Sequence, residues 1–179
     1  MSAASATHTE LVAAPFELVR VLLEEKVYHP ERSIATASNV RIVRDGGASE
    51  GVERKMFLSN KGPHGADVHE LITWSVEGGG DAAAAPRRML VTFTTLTDAL
   101  TTGADTNEAV EQPAAGTTAV TYAMRWDWRE DAPAERKAKP LFEDAGAVMR
   151  GAVSGLKALA EAKAKEEQAA GSAAAAAKP

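Results

Sequence analysis

At 179 residues the chain is long enough for one ordinary domain and short for two. Apolar residues make up 45% of it, much of that alanine, and the net charge of −5 draws on both signs, which argues against a nucleic-acid binder with a basic face. There is no cysteine, which excludes disulfide scaffolds, thiol nucleophiles and Cys-ligated metal sites.

No apolar run reaches the roughly 20 residues of a membrane span. Met1 to His8 has neither the basic nor the apolar segment of a secretory signal. The expectation is a cytoplasmic protein with a single domain over 8–168. Residues 1–7 and the Ala-rich 169–179 are expected to be disordered ends.

His8 to Val12 can form a short strand, and Pro15 suits the first turn of the helix that follows. Phe16, Val19, Leu22 and Leu23 recur at helical spacing, and the helix should end before Pro30. The period then falls to two. Strands are expected over Asn39–Arg44, Val52–Leu58, Val68–Val76, Met89–Thr95, Thr106–Gln112 and Thr117–Trp128. Loops fall at Asn60–Gly65 and at the low-complexity Gly78–Pro86. Ala134 to about Gln168 reads as a long helix, bent at Pro140, with Leu141, Ala145, Val148, Met149, Ala152, Leu156 and Leu159 as its apolar stripe. Gly151 and Gly155, four apart, are expected to let that helix approach the sheet closely.

Short connections between successive strands favour an antiparallel meander. The sheet has one apolar face to bury and the last helix one apolar stripe. An α+β fold satisfies both, with six or seven strands wrapped around the C-terminal helix.

Several stretches carry a family resemblance. They are Ala14-Pro15-Phe16-Glu17-Leu18-Val19, Tyr28-His29-Pro30-Glu31, Glu53-Arg54-Lys55-Met56, His69-Glu70-Leu71-Ile72-Thr73, Thr106-Asn107-Glu108-Ala109-Val110 and Val120-Thr121-Tyr122-Ala123-Met124-Arg125-Trp126. In order and pattern the chain resembles the START-like (SRPBCC) superfamily with its Bet v 1-type helix-grip fold, and within it the AtaL-like branch. The resemblance implies a ligand-holding helix-grip domain. It brings no catalytic signature to transfer. The Gly78–Pro86 loop is longer than the turn usual there.

Two charges sit where apolar residues are expected. Arg54 lies between Val52 and Met56 on the inward face of its strand, and Glu70 between Val68 and Ile72 on the next. In a hairpin they fall opposite each other or one pair removed, within side-chain reach. Unpaired burial of either is costly, so they pair or meet a polar cavity. A plain structural ion pair, a ligand anchor and a catalytic acid or base are all compatible with that placement. Trp74, Phe93, Tyr122, Trp126 and Trp128 also point inward. Each alone suits core packing; as a set they suit an aromatic-lined small-molecule site.

The four histidines offer no third ligand at metal spacing, so no metal and no cofactor are expected. His69 alternates to the outer face. The expected ligand contacts are Arg54, Glu70, Trp74, Phe93, Tyr122, Trp126, Phe142 and Met149, with Glu70 and Tyr122 as the inward candidates for catalysis. The leading expectation is a module that binds a small hydrophobic or aromatic molecule, as a monomer or homodimer. The alternatives are a small cyclase- or hydratase-like enzyme using the same cavity, and a partner-binding scaffold marked by an exposed apolar patch.

Overall fold

The computed structural model describes residues 2–59, 65–79, 85–97, 101–138, 141–142 and 144–176. The chain runs β1 (Ser2–Val12), α1 (Phe16–Tyr28), a 3-10 turn (Pro30–Arg32), β2 (Ala37–Asp45), α2 (Gly47–Glu50) and β3 (Val52–Leu58). It continues through β4 (Ala66–Glu77), β5 (Arg88–Thr97), β6 (Thr101–Gln112) and β7 (Thr117–Trp128) to α3 (Ala134–Lys137) and α4 (Ala145–Ala176). The strands form one antiparallel seven-stranded sheet in the order β1-β7-β6-β5-β4-β3-β2. This is the α+β architecture expected, at the upper of the two strand counts.

Alternation builds the sheet's buried face. Val52, Arg54 and Met56 on β3, Val68, Glu70 and Ile72 on β4, Met89, Val91 and Phe93 on β5, and Val120, Tyr122, Met124 and Trp126 on β7 are all buried. Phe16, Val19, Leu22, Leu23 and Val27 of α1 close over them at helical spacing. From α4 come Met149, Val153, Leu156, Ala160 and Ala164. That helix packs chiefly against β1 and β7. Its polar flank is tied to β1 through Ser154 Oγ to Glu10 (2.7 Å) and Lys157 Nζ to Glu10 (3.2 Å).

Four boundaries differ from expectation. β1 reaches back to Ser2, because the small residues before His8 complete a ladder along β7, with Ser5 opposite Arg125 and Ala6 opposite Met124. The long helix starts at Ala145 rather than Ala134. Asp144 caps it by accepting a hydrogen bond from the Ala147 N–H (2.8 Å), and α3 is a separate short turn. The helix also continues past Gln168 to Ala176, as a run of alanines favours. β6 begins at Thr101, five residues before the expected start.

Ala152 is half-buried against the core as expected, and Val153 is buried beside it, four residues after Met149 and three before Leu156. One expectation about α4 is corrected. Gly151 and Gly155 do not face the sheet. Both are exposed, with nothing within 4 Å of where a Cβ would stand. The centres of the Asn60–Gly65 and Gly78–Pro86 loops and the bend at Pro140 lie outside the described residues.

Gly51 shows what the β2–β3 connection demands. It follows α2 at φ +88°, and a Cβ there would meet the Leu71 side chain at 2.7 Å. Only glycine combines that backbone with so close an approach.

Candidate functional site

The β3–β4 register places Arg54 directly opposite Glu70. The guanidinium Nη2 donates to Glu70 Oε2 at 2.7 Å, with side-chain exposures of 1% and 7%. The other terminal nitrogen turns toward α1. Nη1 donates to the Lys26 carbonyl (2.8 Å) and the Val27 carbonyl (2.7 Å). A helix leaves its last carbonyls without intrahelical donors and carries partial negative charge there, so a buried cation is well placed against it. One side chain thus joins the hairpin to the end of α1.

Next to this pair stands Lys26, in the last turn of α1. Its Nζ lies 4.3 Å from the Tyr122 ring centroid and 5.4 Å from that of Phe93, both within cation–π range. With the Asn107 amide oriented so that its nitrogen donates to the Thr106 carbonyl (3.1 Å), the side-chain oxygen accepts from Lys26 Nζ at 2.9 Å. Burial pulls the Lys26 ammonium down to about 8 from the ordinary lysine value; Asp105 opposes that shift, nearby Arg54 adds to it and Glu70 opposes it. The Tyr122 hydroxyl is pushed well above the usual phenol range by burial alone. Asp105 accepts from the Trp126 indole N–H at 2.8 Å.

These groups form one end of a cavity of about 150 Å³ between the sheet and α4. The other walls are apolar: Met56, Met124, Met149, Val148 and Leu156, with Trp126 and Phe142 tilted at 59° and 5.9 Å apart. Ser33, Ile34 and Thr36 close it on the side of the 3-10 turn. Single-ring molecules fit such a volume, since an apolar engineered cavity of that size takes benzene.

Of the residues expected at the site, Arg54, Glu70, Phe93, Tyr122, Trp126, Phe142 and Met149 line this cavity. Trp74 does not. It shares the inward face of β4 with Glu70, but four residues further along, and packs edge-on against Tyr28 (6.4 Å, 83°), the last residue of α1. Alternation assigns a face and says nothing of how far along the strand a cavity reaches. Trp128 is partly buried, outside the cavity. His69 is on the outer face, bonded to Glu53 (2.6 Å) and Thr97 (2.8 Å).

Sequence reasoning missed Lys26, Asn107 and Asp105. Lys26 had a readable signal: it stands three residues after Leu23, four after Leu22 and seven after Val19, on the buried stripe. Asp105 was lost with the late start assigned to β6. Among the described residues no group of three His, Asp or Glu side chains is placed to hold a metal ion, and no helix is long and apolar enough to cross a membrane.

No family model matches the chain, and no curated protein matches it in sequence. Solved structures do. A hypothetical protein of Helicobacter pylori aligns with a TM-score of 0.58 at 10% identity, over 89% of each chain. Ara h 8.0201 aligns at 0.51 and 12% identity, over 88% of this chain and 97% of its own. The KanY protein aligns at 0.54 and 17% identity, over 90% and 99%. Likeness at such low identity speaks for architecture alone, and the architecture is the helix-grip fold.

Proposed function

We propose that this protein binds a compact aromatic or otherwise apolar molecule, of about one ring, between the sheet and α4. The observation that carries the reading is the make-up of the cavity wall. Methionines and aromatic rings supply much of it, and Lys26, Asn107, Tyr122 and the Arg54–Glu70 pair gather in it as a polar cluster. Apolar walls with a few convergent polar groups are the usual build of a small-molecule site. A core built only for stability would have no use for a lysine amine under two aromatic rings, because desolvating it is costly. Among the described residues the large exposed apolar side chains, Leu11, Val21, Val43, Val76 and Leu96, sit on five different elements, which gives the scaffold reading little support.

Titration with p-cresol, followed by tryptophan fluorescence, tests the reading. Trp126 lines the cavity, so its emission reports occupancy. Saturable binding is expected in the wild type and not in Ala152→Phe, which puts a ring into the space. Equal, unsaturable responses in both proteins would contradict it.

Proton-transfer catalysis of the cyclase or hydratase type is the second reading. Of the two candidates named from sequence, Glu70 is engaged with Arg54 and Tyr122 is held protonated. The group favouring this reading is Lys26, whose amine is lowered by burial to about 8 inside the cavity.

A further inference from the structure

The polar end of the cavity has a charge balance that narrows its ligand. Arg54 and Glu70 cancel by direct contact. Lys26 has the opposing field of Asp105 and, among the described residues, no carboxylate in contact. Among the described residues that line the cavity, two cations face two carboxylates, so an anionic ligand would add a negative charge to a balanced wall. A neutral acceptor adds none. Two side chains await one. The Tyr122 hydroxyl is 2% exposed, lines the cavity and has no hydrogen-bond partner among the described residues. The Lys26 amine sits over the face of that same ring.

We propose that the cavity takes a neutral single-ring aromatic aldehyde or ketone, and that the Lys26 amine condenses with its carbonyl to a reversible Schiff base while Tyr122 donates a hydrogen bond to the carbonyl oxygen. This rests on the cavity being a binding site. The amine nitrogen bonds to the carbonyl carbon as the C=O π pair moves onto oxygen. The nitrogen's two hydrogens end on that oxygen, which leaves as water, and C=N replaces C=O. No oxidant or reductant is consumed. The attacking form is the neutral amine. With Lys26 titrating at about 8, roughly one molecule in ten carries it at pH 7, against about three in ten thousand for an ordinary lysine. The aromatic walls hold the ring, and the imine nitrogen keeps the Asn107 oxygen as a partner when protonated.

Benzaldehyde with sodium cyanoborohydride at pH 7 traps any imine as a benzylamine, and peptide mass mapping locates it. Lys26 is expected to label at least about tenfold faster than an exposed lysine such as Lys165, given its larger neutral fraction. Benzyl alcohol, the same ring without a carbonyl, should compete. Tyr122→Phe should slow the labelling of Lys26 severalfold while leaving that of Lys165 unchanged. Labelling of Lys26 at the rate of Lys165 overturns the Schiff base. If benzyl alcohol binds in that case, the cavity reading survives alone; if it does not bind, both fall. The comparison of lysines is made within the wild-type protein, so it does not depend on a variant folding.

Discussion

The two faces of the β3–β4 hairpin each hold a polar side-chain pair and use it differently. Outside, His69 contacts Glu53 at 2.6 Å with side chains 19% and 22% exposed. Inside, Arg54 contacts Glu70 at nearly the same distance with almost no exposure, and the guanidinium also takes up two carbonyls at the end of α1. The outer pair exchanges solvation for contact and gains little. The inner pair was desolvated by folding, so each partner now depends on the other. The lesson extends to Lys26, one helix away. Lys26 is half-buried and its amine is desolvated too, but its compensation is rings, an amide oxygen and a more distant carboxylate. Of the two cations that line the cavity, Lys26 has the weaker compensation.

Breaking the inner pair gives the largest expected effect. Glu70→Ala leaves the guanidinium buried without its carboxylate and should destabilise the fold by about 3–5 kcal/mol in urea denaturation. Glu70→Gln keeps an acceptor and the volume, and should cost less. A loss under about 1 kcal/mol for Glu70→Ala would mean that water reaches Arg54.

Lys26→Met should act in the opposite direction. Folding lowers the Lys26 pKa to about 8, so below that pH the native state holds a proton it disfavours. Between about 8 and 10.5 the unfolded state binds more protons than the native one, and wild-type stability rises with pH across that window. At pH 7 the variant should therefore be more stable by about 1–3 kcal/mol, the range allowing for the lost cation–π contacts. Its advantage should fade as pH rises from 8 to 10.5. A pH-independent difference in denaturation midpoint would show that the ammonium is well solvated.

The solvent face of α4 sharpens the contrast from outside the core. Gly151 and Gly155 are exposed on a helix with open space at each Cβ position, so alanine at either should stabilise by about 0.5–1 kcal/mol in thermal unfolding. Destabilisation would mean that the glycines meet something not seen in the isolated chain. The smallest effect is expected at the outer pair. Glu53→Gln should cost about 0.2–1 kcal/mol, and less as salt is added. A cost approaching that of Glu70→Ala would erase the distinction between the faces.

Much of this contrast was legible in the sequence. Period-two alternation put Arg54 and Glu70 inward and His69 outward, and a hairpin put the two charges opposite each other or one pair removed. Three features were missed. The guanidinium's second task, holding the end of α1, joins residues 27 and 28 apart and has no local signature. Lys26 was hidden by its neighbours, since Glu24 and Glu25 read as a solvated helix face. Trp74 satisfied the alternation as well as Glu70 did, yet the cavity ends before it. Sequence period assigns faces, and the packing of α1 across the sheet decides which part of a face remains open.

Native mass spectrometry of the protein purified from cells tests the cavity most directly. A single small molecule of one-ring size is expected on the wild type, lost on mild activation and absent from Ala152→Phe. An empty wild type that also fails to take up added p-cresol would show that the interior is packing alone.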